Sequence, residues 1–107
     1  MKLNEKLQNE VKSSEWISLG NTVYYKKCGN IVTVRGYSTG DFALTANDYK
    51  TVATLPVEVR PTITLPFPWS RVGIGQVGIT RIHNTGTIEL YSDTATTYWA
   101  FTITYVI

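Results

Sequence analysis

The chain has one cysteine, one histidine and only 17% charged residues, and each shortage removes a class of function. Cys28 has no second thiol to pair with, so no internal disulfide is available, and a lone thiol indicates no compartment. His83 and Cys28 together are poor material for a metal site, and no metal or cofactor is expected. The formal charge is +2 with no Lys/Arg run. That leaves no basic surface to follow a phosphate backbone, so no nucleic-acid partner is expected. No apolar run reaches membrane length and no secretory signal opens the chain. Membrane insertion is therefore not expected, nor is export by an ordinary signal, while release by another route such as cell lysis stays open.

Catalytic patterns are missing too. There is no G-x-S-x-G elbow, H-E-x-x-H pair or Walker loop. The segment GIGQVG at 73–78 has glycines but neither the strand–helix context nor the spacing of a dinucleotide loop. A carboxylate pair for glycoside hydrolysis among Glu58, Glu89 and Asp93 is a remote alternative. No catalytic residue is assigned, and the chain reads as a non-enzyme.

What is present is β-forming material. Aromatics make up 12% of the chain, and threonine, valine and isoleucine are abundant. The last ten residues, YWAFTITYVI, alternate strictly. Trp99, Phe101, Ile103, Tyr105 and Ile107 share one phase, and Tyr98, Ala100, Thr102, Thr104 and Val106 share the other. This predicts a long strand near the middle of a sheet. Its strongly apolar face must be buried, so the rest of the chain has to supply a partner sheet.

Residues 1–14 differ in character from the remainder of the chain. Leu3, Leu7 and Val11 recur at i, i+4 and i+8 among charged and amide side chains, the stripe of a short helix. The readings are the end of a helical neck or coiled coil, a helix docked on its own domain, or a disordered leader. From 15 onward the pattern is β. Strands are expected at Trp16 to Leu19, Thr22 to Lys27, Ile31 to Tyr37 and Tyr49 to Leu55, with a long glycine-rich strand from Val72 to Ile82 and a return arm from Thr87 to Ser92. Turns are expected at Gly20-Asn21, at Cys28-Gly29-Asn30 and at 83–86, and a loop with a small apolar insert at 38–48. Pro56 and Pro61 bracket VEVR, which marks an edge or a crossover between sheets. Seven or eight short strands with regular turn signals predict an all-β domain over 15–107, an antiparallel β-sandwich or small jelly-roll-like barrel, preceded by the short N-terminal helix.

Binding is read from the aromatics and the polar hairpin residues. Trp99 belongs to the core or to a subunit interface. Trp69 follows Pro68 and precedes Ser70-Arg71, where an indole beside polar groups is suited to stack on a sugar ring, against a plain packing role. His83, Asn84, Glu89, Tyr91 and Asp93 are expected near one hairpin end as a polar rim, against the reading that they are solvated turn residues. Arg60 and Arg71 are placed to pair with Glu58 or Asp93.

From Tyr49 onward the chain reads TLPVEVRPTITLPFPW, then a glycine-rich strand, then TGTIELYS and a closing aromatic strand ending in YVI. This pattern resembles the C-terminal head domain of siphophage receptor-binding proteins of tail fibres and baseplates. The resemblance covers about residues 49–107. It implies a homotrimer on a helical or β-rich neck, heads that attach to host cell-surface saccharide, and association with the rest of a phage tail or baseplate. The location implied is the virion tail tip, after assembly in the host cytoplasm. Trp69, Arg71, His83 and Asp93 match the family's sugar site by residue type, with Tyr91 beside them. The alternative is a structural trimerisation or cap module of a tail or baseplate with no ligand of its own.

Overall fold

The computed structural model describes residues 15–70 and 77–107, with the side chains of Thr39, Asp41, Trp69, Ser70 and Val77 outside that description. The Leu3/Leu7/Val11 stripe with its expected helix, Arg71, the side chain of Trp69 and the 72–76 part of the expected long strand lie outside the described residues.

Among the described residues, eight strands form two four-stranded antiparallel sheets packed about one core. They are β1 (Ile17–Gly20), β2 (Val23–Cys28), β3 (Ile31–Leu44), β4 (Asp48–Thr54), β5 (Leu65–Ser70), β6 (Val77–Ile82), β7 (Thr87–Ser92) and β8 (Thr96–Val106). The first sheet has the order β1-β2-β3-β8 and the second the order β4-β7-β6-β5. A 3-10 turn, Val57–Val59, sits between Pro56 and Pro61 where the chain has left β4 for β5.

The alternation at the C-terminus is what fills the sandwich. Trp99, Phe101, Ile103 and Tyr105 are buried, while Tyr98, Ala100, Thr102, Thr104 and Val106 are exposed. Val23, Tyr25, Val32 and Val34 from the same sheet join them. Val52, Ile82, Ile88 and Leu90 meet them from the facing sheet, with Leu55 and Val59 closing one side. Each such side chain contributes about 1.5–3 kcal/mol by leaving water. The two buried aromatics of β8 that carry polar atoms satisfy them inside. Trp99 donates its indole N–H to the Phe42 carbonyl at 2.9 Å. Tyr105 donates its hydroxyl to the Val59 carbonyl at 2.5 Å, tying β8 to the 3-10 turn.

The structure corrects four expectations. β8 is an edge strand, not a central one, because β3 is its only strand partner among the described residues. β3 does not stop at Tyr37. It continues to Leu44 against β8, absorbing an irregularity between Thr39 and Leu44. Gly40 takes φ +133° there, and the Ser38 hydroxyl accepts the Phe42 N–H at 3.1 Å, so side-chain bonding replaces a stretch of ladder. LPFPWS, where no strand was expected, is strand β5. Pro66 and Pro68 share one parity, so both missing N–H groups fall on the unpaired edge while Leu65 and Phe67 pack on the core. The small barrel is excluded among the described residues, since no ladder joins the two sheets. The proline-bearing edge of β5, across from β8, lacks the donors that closure would require.

Candidate functional site

Hairpin register builds the site. The β6–β7 turn follows the expected 83–86 pattern: the His83 N–H donates to the Thr87 carbonyl and the Gly86 N–H to the His83 carbonyl. Gly86 takes φ +91°, a conformation that only glycine adopts readily. This register sets Arg81 opposite Glu89 and Ile79 opposite Tyr91. On the far side of β7, Tyr49 of β4 lies opposite the same Tyr91. With Ile82, Ile88 and Leu90 turned into the core, the alternate positions Arg81, Glu89, Tyr91 and Tyr49 share the outer face of the second sheet.

Side chains on this face hold one another. Arg81 donates through Nη2 to Glu89 Oε1 at 2.9 Å. Its guanidinium also lies over the Tyr49 ring, with Cζ 3.5 Å from the ring centre. Tyr49 and Tyr91 are neighbours at 5.0 Å between centres, tilted by 40°. Tyr91 donates its hydroxyl to Asn47 Oδ1 at 2.9 Å. His83 Nε2 bonds to the same Glu89 oxygen that Arg81 uses. An ionised carboxylate only accepts, so Nε2 carries the hydrogen, and Nδ1 lies within hydrogen-bond distance of the Thr64 hydroxyl at 3.3 Å. The hydrogen bond from His83, followed by the Arg81 guanidinium, holds the Glu89 carboxyl below the usual carboxylate range against the opposing effect of burial. Arg81 Nε is occluded and unpaired among the described residues, a local penalty accepted by stacking the guanidinium flat.

The expected site residues do not all meet. His83 and Tyr91 fall on this face. Asp93 does not join them. It lies past the far end of β7, where its carboxylate accepts from the Thr94 hydroxyl at 3.2 Å. A six-residue strand separates the two ends by roughly 20 Å, so His83 and Asp93 are not at one hairpin end. The Trp69 backbone pairs with Gly78 on β6, and its side chain, like Arg71, is outside the described residues. Arg60 pairs with neither Glu58 nor Asp93; its Nε donates to the Leu55 carbonyl at 2.9 Å. The residues missed in the sequence are Tyr49, Arg81, Asn47 and Thr64. The TGT turn fixes the β6–β7 register, so the Arg81–Glu89 pair was legible there. Tyr49, Asn47 and Thr64 arrive from elements distant in sequence.

No protein-family model and no curated protein matches this chain. The functional reading therefore rests on the chemistry of this face. A wide depression lined by Ala43, Leu44, Ala95, Thr96, Thr97 and Tyr98 carries no charged group and offers less to a polar ligand.

Proposed function

We propose that this domain is the receptor-binding head of a phage-type tail fibre or baseplate protein and that it attaches to host cell-surface saccharide. One observation carries the reading: two half-buried tyrosine rings lie beside a fixed set of polar groups on one outer sheet face. Aromatic surface suits the apolar face of a sugar ring, and immobilised donors and acceptors suit its hydroxyls. The charges of Arg81 and Glu89 cancel, which favours a neutral sugar. No covalent chemistry is assigned. Affinity at one site would be low and would be multiplied by homotrimer formation and by many fibres per particle.

The test is a glycan and host-wall polysaccharide binding screen of the whole chain, repeated with Tyr91→Ala. Binding of a neutral saccharide that falls at least tenfold in Y91A, with the fold retained, is the expected result. Saccharide binding that is unchanged in Y91A overturns the assignment of the site, and no binding to any wall polymer overturns the adhesion reading.

A second reading, a structural trimerisation or cap module, is favoured by a different observation. β8 is an edge strand of eleven residues whose one strand neighbour among the described residues is β3. Such an edge suits a subunit contact.

A further inference from the structure

The outer face of the first sheet is chemically unlike the second. Trp16 immediately precedes β1, and two cations converge on its indole. Arg35 Cζ lies 4.0 Å from the ring centre and Lys26 Nζ 4.7 Å. Arg35 also lies 5.8 Å from the centre of the Tyr24 ring. Register explains the grouping: Tyr24 is opposite Arg35, and Lys26 is opposite Thr33, on neighbouring strands β2 and β3. The two cationic groups are no farther apart than those two distances together, about 9 Å, roughly one Debye length at physiological salt. They repel each other, and neither has an ion-pair partner among the described residues.

Three other cations among the described residues have oxygen partners. Arg81 has Glu89, Arg60 has the Leu55 carbonyl and Lys50 has the Ala43 carbonyl. Among the described residues Arg35 and Lys26 have only aromatic rings, which hold a cation while leaving its N–H donors available.

We propose that this face is a second binding site, specific for a phosphate-bearing ligand. Arg35 and Lys26 supply the charge, and Trp16 and Tyr24 hold them in place. A phosphate group bridges both cations through separate oxygens and relieves their repulsion, whereas a lone carboxylate neutralises only one of them. Cations already occupy the aromatic surface, which favours the anion over a stacked nucleobase. The assignment is independent of the saccharide reading, because it uses the opposite sheet.

The experiment is an NMR titration of the full chain with inorganic pyrophosphate and with polyphosphate, at low and physiological salt, with polyglutamate and oligothymidylate as comparators. Saturable, salt-sensitive shifts confined to Trp16, Tyr24, Lys26 and Arg35 are expected with both phosphate probes. Arg35→Gln and Lys26→Gln should each weaken binding about tenfold, in keeping with the loss of one charge-assisted contact. Both substitutions keep most of the side-chain length and an otherwise unchanged amide spectrum verifies the fold, while Lys50→Gln should bind as the parent does. Absence of saturable shifts, or full affinity in both R35Q and K26Q, overturns the site. Equal binding of polyglutamate, or tighter binding of oligothymidylate at equal charge, overturns the ligand class.

Discussion

Arg81 reaches across β7 to lay its guanidinium on Tyr49, although their strands are not neighbours in the sheet. Stacking on a ring 3.5 Å away while donating to Glu89 at 2.9 Å fixes both the plane and the direction of the group. The arginine thereby fastens three strands on the face assigned to saccharide. A double-mutant cycle between Tyr49→Ala and Arg81→Ala, read by denaturant unfolding, should give a coupling of about 0.5–1 kcal/mol, the usual range for a partly exposed cation–π contact. Coupling indistinguishable from zero would mean that the clamp contributes nothing.

Glu89 gives this face a pH dependence. Its carboxyl is held low chiefly by the hydrogen bond from His83, so the folded protein releases that proton more readily than the unfolded chain. The resulting stabilisation is complete above the ordinary value of 4.5 and is lost as pH falls below it through the lowered folded value. Unfolding midpoints measured from neutral pH into that acid range should fall less steeply for Glu89→Gln than for the parent. Parallel curves would show that Glu89 is not the group responsible.

Tyr105 works in the opposite direction and at the other end of the scale. Burial pushes its hydroxyl from 10.0 up to about 12. The folded protein holds this proton where the unfolded chain gives it up, so stability is full below pH 10 and declines as pH rises toward 12. Tyr105→Phe should flatten that alkaline decline. At neutral pH it should lower stability by about 1–3 kcal/mol, because the Val59 carbonyl loses its donor inside the core. An unchanged alkaline limb in Y105F would move the effect to another tyrosine.

Gly86 ties the hairpin to the loop after β4. At φ +91° a Cβ would meet the Leu55 carbonyl oxygen at 2.6 Å and Arg60 Nε at 2.5 Å. The same residue accepts the Leu55 N–H at 2.8 Å. Gly86→Ala should therefore cost about 2 kcal/mol or more, well above an ordinary surface change. It should also disturb the His83–Glu89 contact, visible as a shift of the His83 ring resonances. A stability loss below about 0.5 kcal/mol would show that the turn relaxes without strain.

Local alternation made much of this architecture legible. Trp99, Phe101, Ile103 and Tyr105 faced inward as their period required, and the TGT turn located the β6–β7 hairpin. What escaped was non-local. β3 runs on to Leu44 because β8 is long enough to pair with it, and nothing within 38–48 announces a partner some fifty residues away. Pro66 and Pro68 argue against a central strand, yet both fit an edge, a distinction that depends on the neighbour and not on the dipeptide. At the candidate site, Tyr91 and His83 could be named from one hairpin. Tyr49 could not, since it arrives on a strand some forty residues earlier and only the β4–β7 register brings it to Tyr91.

The four sheet edges differ in a way that bears on assembly. β1 is four residues long with an irregularity between Ser18 and Gly20. β4 has an irregularity between Thr51 and Ala53, and β5 carries its two prolines. These are familiar protections against edge-to-edge pairing. The eleven residues of β8 contain no proline, no glycine and no charge. A strand of this kind pairs with another chain unless something covers it. Sedimentation at micromolar concentration should accordingly show an assembly, at three times the chain mass if the homotrimer reading holds. Placing lysines at the exposed positions Ala100 and Thr102 should yield a folded monomer, because adjacent copies would then carry like charge along the shared edge. A parent chain that sediments as a monomer would remove β8 as a subunit contact, and an assembly that survives both lysines would place the contact elsewhere.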